Sequence, residues 1–153
     1  MSAAASEPMR APAPVSVTVL ELLDRAGASL LHASQTTDAG ERYVGAHLGA
    51  LRAAAAVLAA RTSPSARSRP RSVWEVLPRL APELTEWAIF FAASARMRAA
   101  VERGDHPVPA READDLVRQA EVFVELVEQV LGVPHRFDLP GYLAPVSALR
   151  RRG

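Results

Sequence analysis

The sequence predicts an all-α fold, an antiparallel bundle of four to five helices. Apolar residues recur at three- and four-residue steps through most of the chain, which is the spacing of one helix face. Capping residues, glycines and prolines divide this pattern into long segments with short loops between them, and such loops favour antiparallel neighbours. The alternation typical of strands is missing from the sequence.

The domain organisation follows from length and composition. A chain of 153 residues fits one domain. Residues 1–14 are rich in small residues and proline, and we predict that they form a disordered lead-in. Residues 15–132 are predicted to form the bundle, with a basic loop at 62–72, and residues 133–153 a mostly irregular basic tail.

Composition excludes several classes of site. The chain has no cysteine, which rules out disulfides and thiolate metal ligands. The net charge of +1 gives no global attraction to nucleic acid. The first residues lack a basic start followed by an apolar stretch, so no secretory signal is expected. We expect a cytoplasmic protein with no membrane span, no metal and no cofactor.

Two long helices are predicted in the first half. Ser16 is a candidate N-cap for a helix over residues 17–34. Asp38 with Glu41 forms a capping pair that opens a second helix reaching about Arg61. The predicted core face of the second helix comprises Val44, Leu48, Leu51, Ala55 and Leu58.

Three further helices are predicted in the second half. Ser72 with Glu75 opens a short helix over residues 73–80. Pro82 fits the first turn of a fourth helix that continues to about Arg103. A fifth helix is predicted over residues 110–131, and Gly132 ends it. Its glutamates Glu121, Glu125 and Glu128 are expected to form a solvated face.

Two glycines four residues apart on the second helix form a candidate contact surface. Gly45 and Gly49 lie among alanines, and glycine inside a helix costs about 1 kcal/mol relative to alanine. Glycine at these two positions lets the backbone of a neighbouring helix approach the second helix closely, which would offset this cost. The neighbour is either another helix of this chain or a second copy in a dimer.

The loop over residues 62–72 is a candidate phosphate-binding segment. Arg67, Arg69 and Arg71 carry its charge, and the basic tail would add to it if the two segments met in space. The loop contains no aromatic side chain for base stacking, so two solvated segments are the other interpretation.

Three segments carry a resemblance to a known family. Residues 41–61, 72–87 and 110–120, with the helices between them, resemble the HEPN superfamily of small helical domains over roughly residues 16–132. In helix order and in the kinds of residue along each helix, the chain most resembles a HEPN-like family of short actinobacterial proteins. The resemblance implies a helical bundle that often dimerises, and many HEPN proteins are metal-independent ribonucleases with an Arg-x4–6-His motif between two protomers.

Arg42 and His47 have the spacing of that motif, so the resemblance makes them candidate catalytic residues. Arg25 and His32 also fit, so spacing alone does not single out one pair. The alternative is that His47 packs between helices while Arg42 pairs with Asp38 or Glu41.

Three functions therefore stay open. The first is a non-catalytic HEPN-like module that acts through a protein partner or as a homodimer, with Gly45 and Gly49 in the contact. The second is a metal-independent ribonuclease that uses Arg42 and His47 across a dimer. The third is RNA or nucleotide binding without cleavage. Tyr43 stands where a polar residue commonly follows the motif arginine, and this departure favours the first.

Overall fold

A computed structural model of the chain describes residues 15–62 and 72–135, and within those ranges it contains five α-helices and no strand. The predicted all-α bundle is confirmed. The helices are α1 Val17–Gln35, α2 Ala39–Arg61, α3 Val73–Leu80, α4 Thr85–Glu102 and α5 Ala110–Leu131. The predicted lead-in, nearly all of the basic loop and most of the tail lie outside the described residues.

Helix ends are set by the capping residues that the sequence suggested. Ser16 Oγ accepts the Val19 N–H at 3.2 Å, and Asp38 Oδ2 accepts the Glu41 N–H at 2.9 Å. Each bond satisfies one of the free N–H groups of a first helical turn. Gly132 follows α5 in the left-handed region at φ +67°, where glycine has no Cβ to clash.

The fourth helix begins later than predicted. Pro82–Leu84 forms a 3-10 turn, and the α-helix starts at Thr85 and ends at Glu102. The Thr85 hydroxyl donates to the Pro82 carbonyl at 2.7 Å, within this tighter turn. A 3-10 turn at a helix start is common because the first N–H groups have no partner inside the helix.

α2 is the central helix and contacts each of the other four. Its predicted core face is only half-buried, so that prediction is wrong. The residues buried on α2 are mostly small, and they are Tyr43, Gly45, Ala46, His47, Gly49, Ala50, Ala53, Ala54, Ala56 and Val57. Small side chains on several sides let neighbouring helices approach from several directions.

By length and composition, α2 is also the one helix of the described residues that could cross a membrane. In the bundle, 56% of its most apolar window is buried against other helices. A helix that is apolar on all sides is typical of a protein core as well as of a membrane span.

An aromatic cluster joins α3, α4 and α5. Trp74 stacks on Phe91 with ring centroids 5.1 Å apart, and Phe91 lies 5.0 Å from Phe123. Trp87 reaches the same Phe123 at 5.6 Å. These large rings hold the first half of α4 to α5, whereas the two helices do not pack closely along their backbones. A groove is left between them.

Candidate functional site

His47 lies inside the core. Its side chain is 1% exposed, and its ring packs edge-on against Trp74 and Phe91 at centroid distances of 5.7 and 6.3 Å. Nδ1 lies 2.7 Å from Ser94 Oγ on α4. Because the Ser94 hydroxyl donates to the Phe91 carbonyl at 3.0 Å, its oxygen is left to accept from a ring Nδ1–H.

The surroundings of His47 favour the neutral ring. Burial lowers its pKa to about 4, and the positive charge of Arg98 acts in the same direction. An acid–base histidine that works near neutrality needs a pKa close to the working pH and access to its substrate. The His47 ring of this protomer is buried and neutral, so it has neither a pKa near the working pH nor access to a substrate.

Arg42 is engaged elsewhere in the bundle. Its Nε and Nη2 atoms donate to the Thr36 carbonyl at 3.1 and 2.8 Å, and Nη1 pairs with Asp114 on α5. The expected partners Asp38 and Glu41 are therefore corrected to Thr36 and Asp114. Arg42 ties the α1–α2 connection to α5, which is a structural role.

The predicted pair does not converge in this protomer. Five residues on a helix correspond to a rotation of about 500°, so the side chains point roughly 140° apart. His47 faces α3 and α4, and Arg42 faces Thr36 and Asp114. Their catalytic role in an assembly stays a prediction, and the geometry lends it no support.

The second pair with the motif spacing is on α1. Arg25 and His32 are both exposed. His32 lines a groove of about 520 Å³ together with Asp38, Glu41 and Glu102. Among residues 15–62 and 72–135, no three histidine or acidic side chains are arranged to hold a metal ion.

Gly45 and Gly49 contact a helix of the same chain. A Cβ at Gly49 would lie 2.7 Å from Leu30 Cδ2, and one at Gly45 would lie 3.1 Å from Ala33 Cβ. Both neighbours belong to α1. The predicted role of the two glycines in an intermolecular contact is therefore corrected, because α1 already occupies that surface.

The structure describes only the two ends of the basic loop, at residues 62 and 72. Arg67, Arg69 and Arg71 lie outside the described residues, so their RNA-binding role stays a prediction. Arg61, which precedes them, donates to the Leu80 carbonyl and to Glu83, each at 2.9 Å.

The predicted solvated glutamate face is wrong at one position. Glu128 is 5% exposed, and its Oε1 lies 2.8 Å from His135 Nδ1. Glu121 is half-buried, and burial raises its pKa. Glu125 is exposed as expected. Of the three glutamates, Glu125 is therefore the exposed one, and Glu128 contacts the chain that follows the helix.

The surface that the sequence analysis missed is on α4. Ile89 is 67% exposed and Phe90 43%, and the exposed Ala93 and half-buried Met97 continue the same side of the helix. We call these four residues the α4 face. Their spacing places all four within about 100° of one another around the helix axis. Because the buried side of α4 is also largely apolar, the sequence does not show which side of the helix is exposed.

The α4 face borders the groove between α4 and α5. The groove has a volume of about 640 Å³, and Phe90, Ala93 and Met97 form its apolar wall. The α5 wall is mostly polar, with Glu112, Asp115, Arg118 and Gln119 beside Leu116. Val122, which is 51% exposed, lies one turn beyond Gln119. Apolar groups in water beside a concave surface are typical of a contact site.

Tyr43 of α2 also lines this groove. The residue is buried, and its burial, followed by the nearby charge of Glu112, raises the pKa of its phenol above the ordinary value. A phenol that stays protonated is available as a hydrogen-bond donor.

Comparison with known proteins gives a family. A HEPN-like family model matches residues 33–128, well over half of the chain and a range that runs from the last turn of α1 to the last turns of α5. Neither the search of curated proteins nor that of solved structures produced a match. With this range matched and the helices in the order described, the chain belongs to the HEPN-like family.

Proposed function

We propose that this chain is a non-catalytic HEPN-like module that works by association through the α4 face. The observation that carries the proposal is the exposure of Ile89 and Phe90, two large apolar side chains adjacent on one helix. Burying a side chain of this size contributes about 1.5–3 kcal/mol, so a partner that covered both would bind with a substantial hydrophobic contribution.

The candidate catalytic residues support the non-catalytic half of the proposal. His47 is enclosed by aromatic rings and bound to Ser94, and Arg42 is bound to Thr36 and Asp114. Freeing either side chain for a substrate would break these contacts. The absence of cysteine is compatible with the reducing cytoplasm, where we propose that the module works.

The test is the mass of the purified protein in solution, measured by light scattering over a concentration series. We expect a species of about twice the chain mass of 16.4 kDa, and Ile89→Glu should reduce it to a single chain. The charge would have to be desolvated at the contact, whereas in the free protomer it stays in water.

The matched control is Val17→Glu. Val17 is apolar and 70% exposed, and it lies at the start of α1, which does not pack closely against α4. This variant should keep the native mass. Equal masses for Ile89→Glu and the native protein, or a native protein that stays a single chain at every concentration, would refute association through the α4 face.

A further inference from the structure

The groove between α4 and α5 contains a polar group that the bundle itself does not use. Tyr43 lies on α2, which packs against both helices, and the residue is only 5% exposed. Its hydroxyl has no hydrogen-bond partner within residues 15–62 and 72–135, and it is not among the enclosed polar atoms there that lack one. Buried polar groups usually have a partner. Because Tyr43 lines the groove, its hydroxyl is available to a molecule bound there.

One carboxylate close to this hydroxyl is also without a partner. Glu112 is exposed, lines the same groove, and acts on the Tyr43 phenol through its charge. Within the two described ranges Glu112 forms no ion pair. The other charged residues of the lining, Asp115 and Arg118, pair with each other. The lining therefore has one uncompensated negative charge, and it is at Glu112.

The rest of the groove suits a flat apolar body. Phe90, Met97 and Leu116 line it, and the Phe90 ring is 43% exposed. An exposed aromatic ring stacks well on another ring, and a methionine sulfur makes favourable contacts with aromatic groups. The volume of about 640 Å³ lies within the range of roughly 300–1,000 Å³ that is usual for small-molecule sites.

The polar groups select the charge of the ligand. A protonated amine has several N–H donors, so it can donate both to the Glu112 carboxylate and to the oxygen of the Tyr43 phenol. The raised pKa of Tyr43 keeps that phenol neutral, so no second negative charge forms beside Glu112. Glu112 would repel an anion, and a neutral molecule would leave the Glu112 charge uncompensated.

We propose that the groove between α4 and α5 binds a small arylalkyl amine in its protonated form, with the ammonium group at Tyr43 and Glu112 and the aromatic body against Phe90 and Met97. The polar end of this site is formed by α2 and α5, and it does not depend on association through the α4 face. A native chain that stays monomeric would overturn that association and leave the amine site standing.

Three probes of similar size and different charge test the selectivity of the site. Isothermal titration calorimetry of the native protein near neutral pH compares phenethylamine, which is a cation, with the neutral phenethyl alcohol and the anion hydrocinnamate. We expect phenethylamine to bind with a dissociation constant in the millimolar range or below. Phenethyl alcohol should bind about tenfold more weakly, because hydrogen bonds to a charged group are the stronger ones. Hydrocinnamate should not bind measurably.

Two conservative variants test the placement of the ammonium group. Tyr43→Phe keeps the ring and removes only the hydroxyl, and it should weaken phenethylamine binding about tenfold. Because that hydroxyl has no partner in the described part of the chain, the urea midpoint of Tyr43→Phe should stay at the native value. Glu112→Gln removes the exposed charge and should weaken binding about threefold. Glu125→Gln is the matched control, exposed on the same helix and outside the groove lining, and should bind like the native protein.

Each outcome decides one part of the proposal. No binding of phenethylamine at millimolar concentration overturns the site. Phenethyl alcohol that binds as tightly as phenethylamine overturns the selection for a cation. Phenethylamine binding that is unchanged in both Tyr43→Phe and Glu112→Gln overturns the placement of the ammonium group. Weaker binding in these two variants, with native binding in Glu125→Gln, supports the proposed site.

Discussion

A methyl group added at Gly49 probes the closest contact between α1 and α2. In Gly49→Ala the new Cβ would lie 2.7 Å from Leu30 Cδ2, 2.8 Å from Leu30 Cγ and 3.3 Å from the Ala26 carbonyl oxygen. Leu30 is buried, so it has little room to turn away, and the carbonyl belongs to the helix backbone. The two helices must therefore move apart or Leu30 must leave its packed position.

Two opposing terms decide the magnitude. Overpacking a core by a methyl group costs about 1–3 kcal/mol, and contacts this short favour the upper part of that range. Replacing a helical glycine by alanine stabilises the helix by about 1 kcal/mol. We expect Gly49→Ala to lower the free energy of unfolding by roughly 1–2 kcal/mol, or the melting temperature by roughly 2–8 °C.

Urea unfolding followed by circular dichroism in the far ultraviolet measures this change. Gly45→Ala is the matched control, because its Cβ would meet Ala33 Cβ at 3.1 Å and nothing closer. We expect the free energy of unfolding of Gly45→Ala to lie between those of Gly49→Ala and the native protein, because the higher helix propensity of alanine offsets most of the milder clash. If Gly49→Ala is as stable as the native protein or more so, the close approach of α1 to Gly49 is wrong.

Three further predictions concern the polar contacts of the bundle. The folded-state pKa of His47, about 4, lies below its unfolded value near 6.5, so the unfolded chain binds more protons between these values. The contribution of His47 to stability is thus complete above pH 6.5 and falls by about 3 kcal/mol as the pH drops to 4. Urea midpoints over this range should fall less steeply in His47→Gln, and equal slopes would contradict a neutral buried ring. Ser94→Ala leaves the ring N–H without its acceptor and should cost about 1–3 kcal/mol by the same measurement, whereas Ala93→Ser, on the exposed side of α4, should change the midpoint little. Arg42→Ala should cost about 1–2 kcal/mol, partly screened by salt, and a double-mutant cycle with Asp114→Ala should show coupling between the two residues; independent effects would refute the pairing.

The helix order could be predicted from sequence because caps and apolar spacing are local signals. Ser72 with Glu75 indicated the start of α3 where the structure has it, and Gly132 marked the end of α5. The start of α4 could not be placed to the residue, because Pro82 permits either a 3-10 or an α-helical first turn.

The buried side of α2 could not be predicted because alanine fills much of that helix. Where about half of the positions are alanine or glycine, periodicity does not identify one face. The prediction followed the larger Leu48 and Leu51, whereas α1 packs at Gly45 and Gly49.

The partners of the candidate site residues depend on contacts between distant parts of the chain. Ser94 is 47 residues from His47, and Asp114 is 72 residues from Arg42, so no local spacing indicates either pair. The α4 face was missed for a different reason: the helix is apolar on its buried side too, and a pattern with two apolar sides does not show which one is covered.

RNA cleavage by the purified protein tests most directly whether the module is non-catalytic. The native protein and His47→Gln are incubated with single-stranded RNA in the presence of a metal chelator, and the products are separated on a denaturing gel. If His47 is buried and neutral, the native protein and His47→Gln should both leave the RNA at full length. Cleavage by the native protein that disappears in His47→Gln would contradict the account and return Arg42 and His47 to the catalytic role that their spacing suggested.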